Sequence, residues 1–229
     1  MPGSTDRQVY IVRNSWGAGW GSGGYGKIKY VDLWNSGALN SGLQRLDIIN
    51  GWDGVDLTWT PEREGVALMY AGILDRCGEN AGLVSWATHV KNGAISIKSL
   101  ANAFYNSAEG QALYGSMTNS QYVASMYQNA TGRVADQGAI NLFTSQLSSG
   151  TTRGDLAYNL LNWVDVGNDT QAANDRLENL ETVSMNYAVT FQVDGTHYAV
   201  AVDALNGVTD DANSVQISLL GIQQDLGWQ

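Results

Sequence analysis

The chain has 229 residues, 44% of them hydrophobic, and a formal net charge of −10 at pH 7. This is enough material for a core in one or two domains, while the negative charge and the lack of a basic stripe argue against nucleic-acid binding. One cysteine and two histidines exclude an internal disulfide and argue against a transition-metal centre, and no apolar run reaches the roughly 20 residues of a membrane span.

Residues 1–59 form the first predicted domain, which is dense in glycine and tryptophan. The stretches QVYIVRNSW and YGKIKYVDL are rich in β-branched and aromatic residues, and a glycine-rich loop separates them. We therefore expect two short strands that form a small β-hairpin.

The loop between these strands, NSWGAGWGSGGY, resembles the NSWGxxWGxxGY segment of papain-like cysteine peptidases. The resemblance implies that Asn14 orients a catalytic histidine, that Trp16 shields their hydrogen bond and that Trp20 lines the cleft. In that family the nucleophile and the histidine come earlier in the chain, and only thirteen residues precede Asn14 here. We expect the C-terminal piece of a longer peptidase, with Trp16 and Trp20 as candidate binding residues.

From Thr60 onward the pattern is helical, and residues 60–229 form the second predicted domain. Thr60 is a suitable N-cap, Pro61 suits the first helical position, and Glu62 and Glu64 fall in the first turn, where the helix dipole favours acids. A helix is therefore predicted to begin at Pro61.

An internal repeat organises the middle of this domain. The segment from Met69 to Gly93 aligns without a gap with the segment from Met126 to Gly150. Each repeat, about residues 66–108 and 123–163, is predicted to be helix, turn, helix, glycine stop and helix, because the two glycines follow amphipathic runs. The predicted fold class is mainly α, with tandem helical repeat units and a small N-terminal β-hairpin remnant.

In both repeats an arginine and an acid lie three residues apart in the turn that connects the first two helices. The pairs are Arg76 with Glu79 and Arg133 with Asp136. A charge-assisted hydrogen bond between the two side chains would lock this turn. We interpret both pairs as structural turn clamps, and a ligand site at Asp136 is the alternative.

The stretch MYQNATGRVADQGAINLFTSQLSSGTTRGDLAYNLLN resembles the bacterial domain of unknown function numbered 4214, through its Tyr, Gly-Arg, Asp, aromatic and Ser-Gly landmarks. The resemblance covers roughly residues 60–229, and the segments LENLETVSMNYAVTF and LNGVTDDANSVQISL resemble the C-terminal helices that close such modules. That family occurs near the C-termini of large secreted or surface proteins, often beside calcium-binding repeats. The resemblance implies a mostly helical accessory module, extracellular or on the surface of a bacterium, and implies no reaction.

Two other chemistries stay open. Cys77 could act as a nucleophile with His89 as its base, although Cys77 aligns with the aliphatic Val134, which favours a packing role. No cofactor is predicted, but calcium is left open because Asp165, Asn168 and Asp169 share one loop. This loop does not follow the EF-hand ligand pattern.

Three functional hypotheses follow. The preferred one is a non-catalytic extracellular accessory or adhesion-type module derived from a secreted bacterial cysteine peptidase. The alternatives are a hydrolase of amide or ester bonds without a complete papain triad, and a self-associating assembly unit, since unfinished helical arrays complete their cores against a partner. The expected partner is a peptide, a polysaccharide or a second copy. Residues 197–205 could be strand or helix, and the family resemblance favours helix.

Overall fold

A computed structural model of the chain describes residues 9–13, 25–29 and 59–227. The chain divides into two compact regions, of which the larger spans Trp59–Ile222. In the smaller region, strands β1 (Val9–Arg13) and β2 (Tyr25–Lys29) pair antiparallel, with Val9 opposite Lys29. The predicted pair of strands is therefore present. Asn14, Trp16 and Trp20 lie outside the described residues.

The larger region is helical, and the predicted mainly α fold class is confirmed. Its α-helices are α1 (Pro61–Leu74), α2 (Asn80–Lys91), α3 (Ile97–Asn106), α4 (Ala108–Tyr114), α5 (Asn119–Thr131), α6 (Gln137–Ser148), α7 (Arg153–Asp165), α8 (Gln171–Met185), α9 (Tyr198–Asp203) and α10 (Ala212–Asp225). A π-helical segment, Asn186–Thr190, directly follows α8. Among the described helices, none combines the length and the apolar character needed to cross a membrane.

Helix α1 is the centre of the core. It begins as predicted, with the Thr60 hydroxyl accepting a hydrogen bond from Arg63 N over 3.4 Å and with Pro61 in the first turn. From Val66 to Leu74 every residue is buried, and α2, α3 and α8 pack around the helix. A helix that is apolar on all sides is stable only when other elements enclose it. Helices α2, α3 and α8 are therefore needed to keep α1 folded.

The predicted tandem repeat is also confirmed. Helices α1, α2 and α3 form unit 1, and α5, α6 and α7 form unit 2 in the same order. The helix stops predicted at Gly93 and Gly150 are both in the left-handed region, at φ +69° and +101°, where a residue without Cβ is free of strain.

A third unit follows, which we did not predict from the sequence as a repeat. We call α8 with its π-helical extension, α9 and α10 unit 3. Its two chain reversals again have positive φ, at Gln192 (+53°) and Gly207 (+80°), as at Gly132 and Gly150 in unit 2. Its middle helix has only six residues, which obscures the repeat pattern in the sequence. Residues 198–203 are helical, so the helical alternative is the correct one.

Unit 3 closes unit 1 through backbone hydrogen bonds. Cys77 N donates to Ala201 O over 2.9 Å, and Asn80 N donates to Val193 O over 3.0 Å. The Asn80 side chain adds a bond to Ala188 O at 2.8 Å. The turn between α1 and α2 is thereby fixed to the π-helical segment, the following loop and α9.

Units 1 and 2 meet where α3 and α7 cross. The Asn102 side chain accepts a hydrogen bond from the Thr152 hydroxyl and donates one to Asp155, each over 2.7 Å. A Cβ atom on Gly154 would lie 2.5 Å from Asn102 Cα. The two backbones can approach this closely only because position 154 carries no side chain.

We predict that Gly154→Ala lowers the free energy of unfolding by about 1–3 kcal/mol, because the new methyl group meets backbone that cannot rotate away. Gly221→Ala is the matched control. A Cβ at Gly221, inside α10, meets nothing within 4 Å, and the higher helix propensity of alanine should stabilise by about 0.5–1 kcal/mol. Urea unfolding followed by circular dichroism measures both. Equal effects of the two variants would contradict the close crossing.

Candidate functional site

A cavity of about 160 Å³ lies where unit 3 closes unit 1. We call it the Arg76 recess. It is lined by Arg76, Glu79, Tyr187, Asp194, Gly195, Tyr198 and Ala201. The first two residues come from the turn between α1 and α2, and the others from the π-helical segment, the loop after it and α9. The recess therefore exists only when units 1 and 3 are packed together.

The Arg76 guanidinium makes four hydrogen bonds at the edge of the recess. Its Nε and Nη2 donate to the two oxygens of Glu109 over 2.6 and 3.0 Å, and Nη1 donates to Glu79 at 3.0 Å and to Cys77 O at 2.9 Å. Burial opposes its charge, but the hydrogen bonds to Glu109 and Glu79 outweigh burial and raise the pKa of Arg76. Arg76 is therefore a fixed positive charge.

Two tyrosine rings enclose the same guanidinium. The Arg76 Cζ atom lies 5.0 Å from the centre of the Tyr70 ring and 5.3 Å from that of Tyr198, within the range of a cation–π contact. The Tyr198 hydroxyl donates to Glu109 over 3.2 Å, and about half of Tyr198 remains exposed at the edge of the recess. The recess thus offers an aromatic surface beside carboxylates.

The sequence indicated Glu79 as a partner of Arg76 but not Glu109. Glu109 lies in the first turn of α4, 33 residues from Arg76, and Ser107 caps that helix. An acid in the first turn of a capped helix is a recognisable local signal. Its partner, however, depends on how α4 packs, which no local pattern encodes.

The predicted clamp of unit 2 differs from that of unit 1. Arg133 is not paired with Asp136; it pairs with Asp169, in the loop between α7 and α8. Asp136 instead caps α6, accepting a hydrogen bond from Ala139 N over 2.7 Å. The two arginines also differ in exposure, with 11% of the Arg76 side chain accessible against 45% for Arg133. In the described residues, no loop and helix like those of unit 3 at Arg76 enclose Arg133.

The loop of unit 3 supplies a second fixed charge to the recess. Asp194 Oδ1 accepts hydrogen bonds from the Thr196 hydroxyl, from Thr196 N at 2.9 Å and from His197 Nδ1 at 3.0 Å. Thr196 above all, and then His197, hold the pKa of Asp194 at about 2. Asp194 is therefore an anion at any physiological pH.

Two carboxylate oxygens of the recess remain available to a ligand. Within the described residues, neither Glu79 Oε1 nor Asp194 Oδ2 accepts a hydrogen bond. Because Glu79, Glu109 and Asp194 stand against the single charge of Arg76, the recess is negative. It can accept hydrogen bonds from a cationic or hydroxyl donor beside the Tyr198 ring.

The candidate nucleophile is inaccessible. Cys77 has no exposed surface, and the Ser184 hydroxyl donates to its sulfur over 3.6 Å. Burial raises the pKa of the Cys77 thiol to about 12. The candidate base, His89, lies on the exposed side of α2 with Nδ1 2.7 Å from Ser85 O, and no hydrogen bond joins it to Cys77 in the described part. These surroundings suit a packing thiol, because a nucleophilic cysteine needs an accessible thiolate.

The candidate calcium loop follows α7, which ends at Asp165. The Asp169 carboxylate is occupied by Arg133 and by Thr170 N, which donates over 2.7 Å. Burial raises the pKa of Asp165. Throughout residues 59–227, no three His, Cys, Asp or Glu side chains are grouped closely enough to hold a metal ion. The structure thus gives Asp169 a structural partner.

A group of acids that the sequence did not indicate surrounds Glu181 in α8. Burial first, and then the charges of Glu64, Asp165 and Glu178, raise the pKa of Glu181 to about 7. These acids come from α1, α7 and α8, so only the packing of three helices brings them together.

The comparisons with known proteins concern the helical region. A family model described as "Domain of unknown function (DUF4214)" matches residues 60–114 and 101–162. The predicted resemblance to this family is thereby confirmed for residues 60–162, which include units 1 and 2. No curated protein and no solved structure matches the chain. The peptidase-like resemblance of the N-terminal segment stays a prediction.

We predict that Arg76→Ala lowers the free energy of unfolding by roughly 2–4 kcal/mol, since it leaves Glu79 and Glu109 without their counter-charge. The matched variant Arg133→Ala removes a more exposed guanidinium and leaves one buried carboxylate, Asp169, without its counter-charge in place of two, so it should cost about 1–2 kcal/mol. Urea unfolding at pH 7 compares the two. A loss at Arg133 as large as at Arg76 would show that enclosure by unit 3 does not set the difference.

Stability should also fall as the pH rises. The folded state binds the Glu181 proton more tightly than the unfolded chain does, because the folded pKa is about 7 and the unfolded one about 4.5. The resulting stabilisation is complete below pH 4.5 and is lost as the pH rises through 7, a change of roughly 3 kcal/mol. Glu181→Gln should flatten this part of the profile of unfolding free energy, whereas the exposed control Asp210→Asn should not. A profile that Glu181→Gln leaves unchanged would contradict the assignment.

Proposed function

We propose that the helical region is a non-catalytic accessory or adhesion-type module of a secreted or surface-bound bacterial protein, and that it binds a basic peptide segment through the Arg76 recess. The resemblance to the domain family supports an extracellular module. The burial of Cys77 supports a role without a nucleophilic cysteine. The peptidase-like segment at the N-terminus is consistent with an origin in a larger secreted peptidase.

One observation carries the choice of ligand: the recess is negative and keeps two carboxylate oxygens free. Glu79 Oε1 and Asp194 Oδ2 can each accept a hydrogen bond from a lysine or arginine side chain. The Tyr198 ring lies beside them and can contact the apolar part of such a side chain. The overall charge of −10 adds a long-range attraction for basic segments.

The size of the recess favours a peptide over a polysaccharide. Sites for whole small ligands have volumes of about 300–1,000 Å³, whereas this cavity holds about 160 Å³. A volume of this size fits one side chain of an extended peptide. A neutral sugar would also gain nothing from the net negative charge.

Fluorescence anisotropy of a labelled lysine-rich peptide tests the proposal, with a peptide of the same length and glutamine in place of lysine as reference. We expect weak binding of the basic peptide only, and weaker binding at high salt because the charges are solvent-accessible. Asp194→Asn keeps the hydrogen bonds of its loop but removes a charge, and should weaken binding roughly two- to fivefold, as expected for an exposed ion pair.

Asp210→Asn is the control, since it removes one exposed charge outside the recess. Equal weakening by the two variants would indicate attraction to the net charge alone and contradict a specific site. Binding of the glutamine peptide or of a neutral oligosaccharide with the same affinity would contradict the basic ligand.

A further inference from the structure

The corresponding surfaces of units 1 and 2 differ in what covers them. In unit 1, the turn at Cys77 and helix α2 are covered by unit 3. In unit 2, α5 and α7 are the described elements that pack substantially on helix α6. Unit 3 reaches the start of this turn through Arg176, beside Gly132, but leaves Val134 uncovered. Cys77 is 0% exposed, and its counterpart Val134 is 85% exposed. We call this turn, together with the side of α6 that carries Ile140 and Thr144, the unit 2 face.

The same contrast extends along the helix. Leu83 and Ala87 of α2 are buried, whereas Ile140 and Thr144, which align with them, are partly exposed. No residue of α6 is buried. An amphipathic helix normally buries one side, so α6 has the side chains of a covered helix but lacks a cover within the described chain.

The backbone gives an independent indication. In unit 1, Cys77 N and Asn80 N donate to carbonyl oxygens of unit 3. The corresponding donors of unit 2, Val134 N and Gln137 N, have no hydrogen-bond partner in the described residues. A repeat unit of this chain is therefore able to receive a second unit at this turn, and in unit 2 that position is open.

The charge of the unit 2 face indicates which partner fits it. From Gln137 to Thr152 there is no charged residue, although the chain as a whole carries −10. Two copies of such a chain repel each other over most of their surface but not here.

We propose that the unit 2 face binds the same face of a second copy, forming a two-fold symmetric homodimer. Helix α6 is about 18 Å long, and with its turn it would bury roughly 400 Å² per copy, about half of what a stable interface buries. The dimer is therefore weak, because this area is below that of stable interfaces. Because α6 and its turn lie outside the Arg76 recess, this inference does not rest on the proposed peptide binding.

Sedimentation velocity of the full chain from about 10 to 500 μM tests the proposal. The average mass should rise above 24.6 kDa with concentration. Val134→Glu places a charge at the centre of the contact and should weaken dimerisation at least fivefold. Val134 is too exposed for this change to unfold the protein, and circular dichroism confirms the fold of each variant.

Leu142→Glu is the matched control. Leu142 is also an exposed apolar residue of α6, but its counterpart in unit 1 is Ser85, which is exposed and not covered by unit 3. This variant should dimerise like the wild type. A monomer at 500 μM, a dimer insensitive to Val134→Glu, or loss of the dimer in Leu142→Glu to the same degree would each overturn the proposal.

Discussion

The positive charge of Arg76 in a nearly enclosed place is the constraint around which units 1 and 3 are arranged. A guanidinium removed from water needs partners for its N–H groups, and here two carboxylates and a backbone oxygen supply them. These partners come from the turn between α1 and α2 and from α4. The Tyr198 ring of unit 3 covers the guanidinium. The same packing that satisfies Arg76 buries Cys77 and creates the recess.

Units 1 and 2 show that one local plan can have two different electrostatic outcomes. Both contain helix, turn and helix with an arginine at the same position of the turn. In unit 1 the arginine is enclosed and binds Glu79 and Glu109; in unit 2 it is exposed and binds Asp169. The difference comes from unit 3, because its loop and helix α9 cover the turn of unit 1, whereas in the described residues α8 reaches the turn of unit 2 only through Arg176, beside Gly132. The role of a repeated residue therefore depends on its neighbours.

Acidic residues in this protein serve different purposes according to their surroundings. Asp194 is held as an anion by donors in its own loop, whereas Glu181 is buried among other acids, which favours its protonated form. The first arrangement stabilises a charge that a ligand can use. The second makes the helical core sensitive to pH. Neither property follows from the net charge of the chain.

Local sequence determined the features that depend on a few neighbouring residues. The Thr60 cap, the helix stops at Gly93 and Gly150, and the order of helices in units 1 and 2 could be predicted, because caps and left-handed glycines act within one turn of backbone. Tertiary structure alone decided the partner of Arg133, the part played by Glu109 and the packing of unit 3 on unit 1. These depend on contacts between residues more than 30 positions apart, where the geometry of helix packing, and no local pattern, selects the partner.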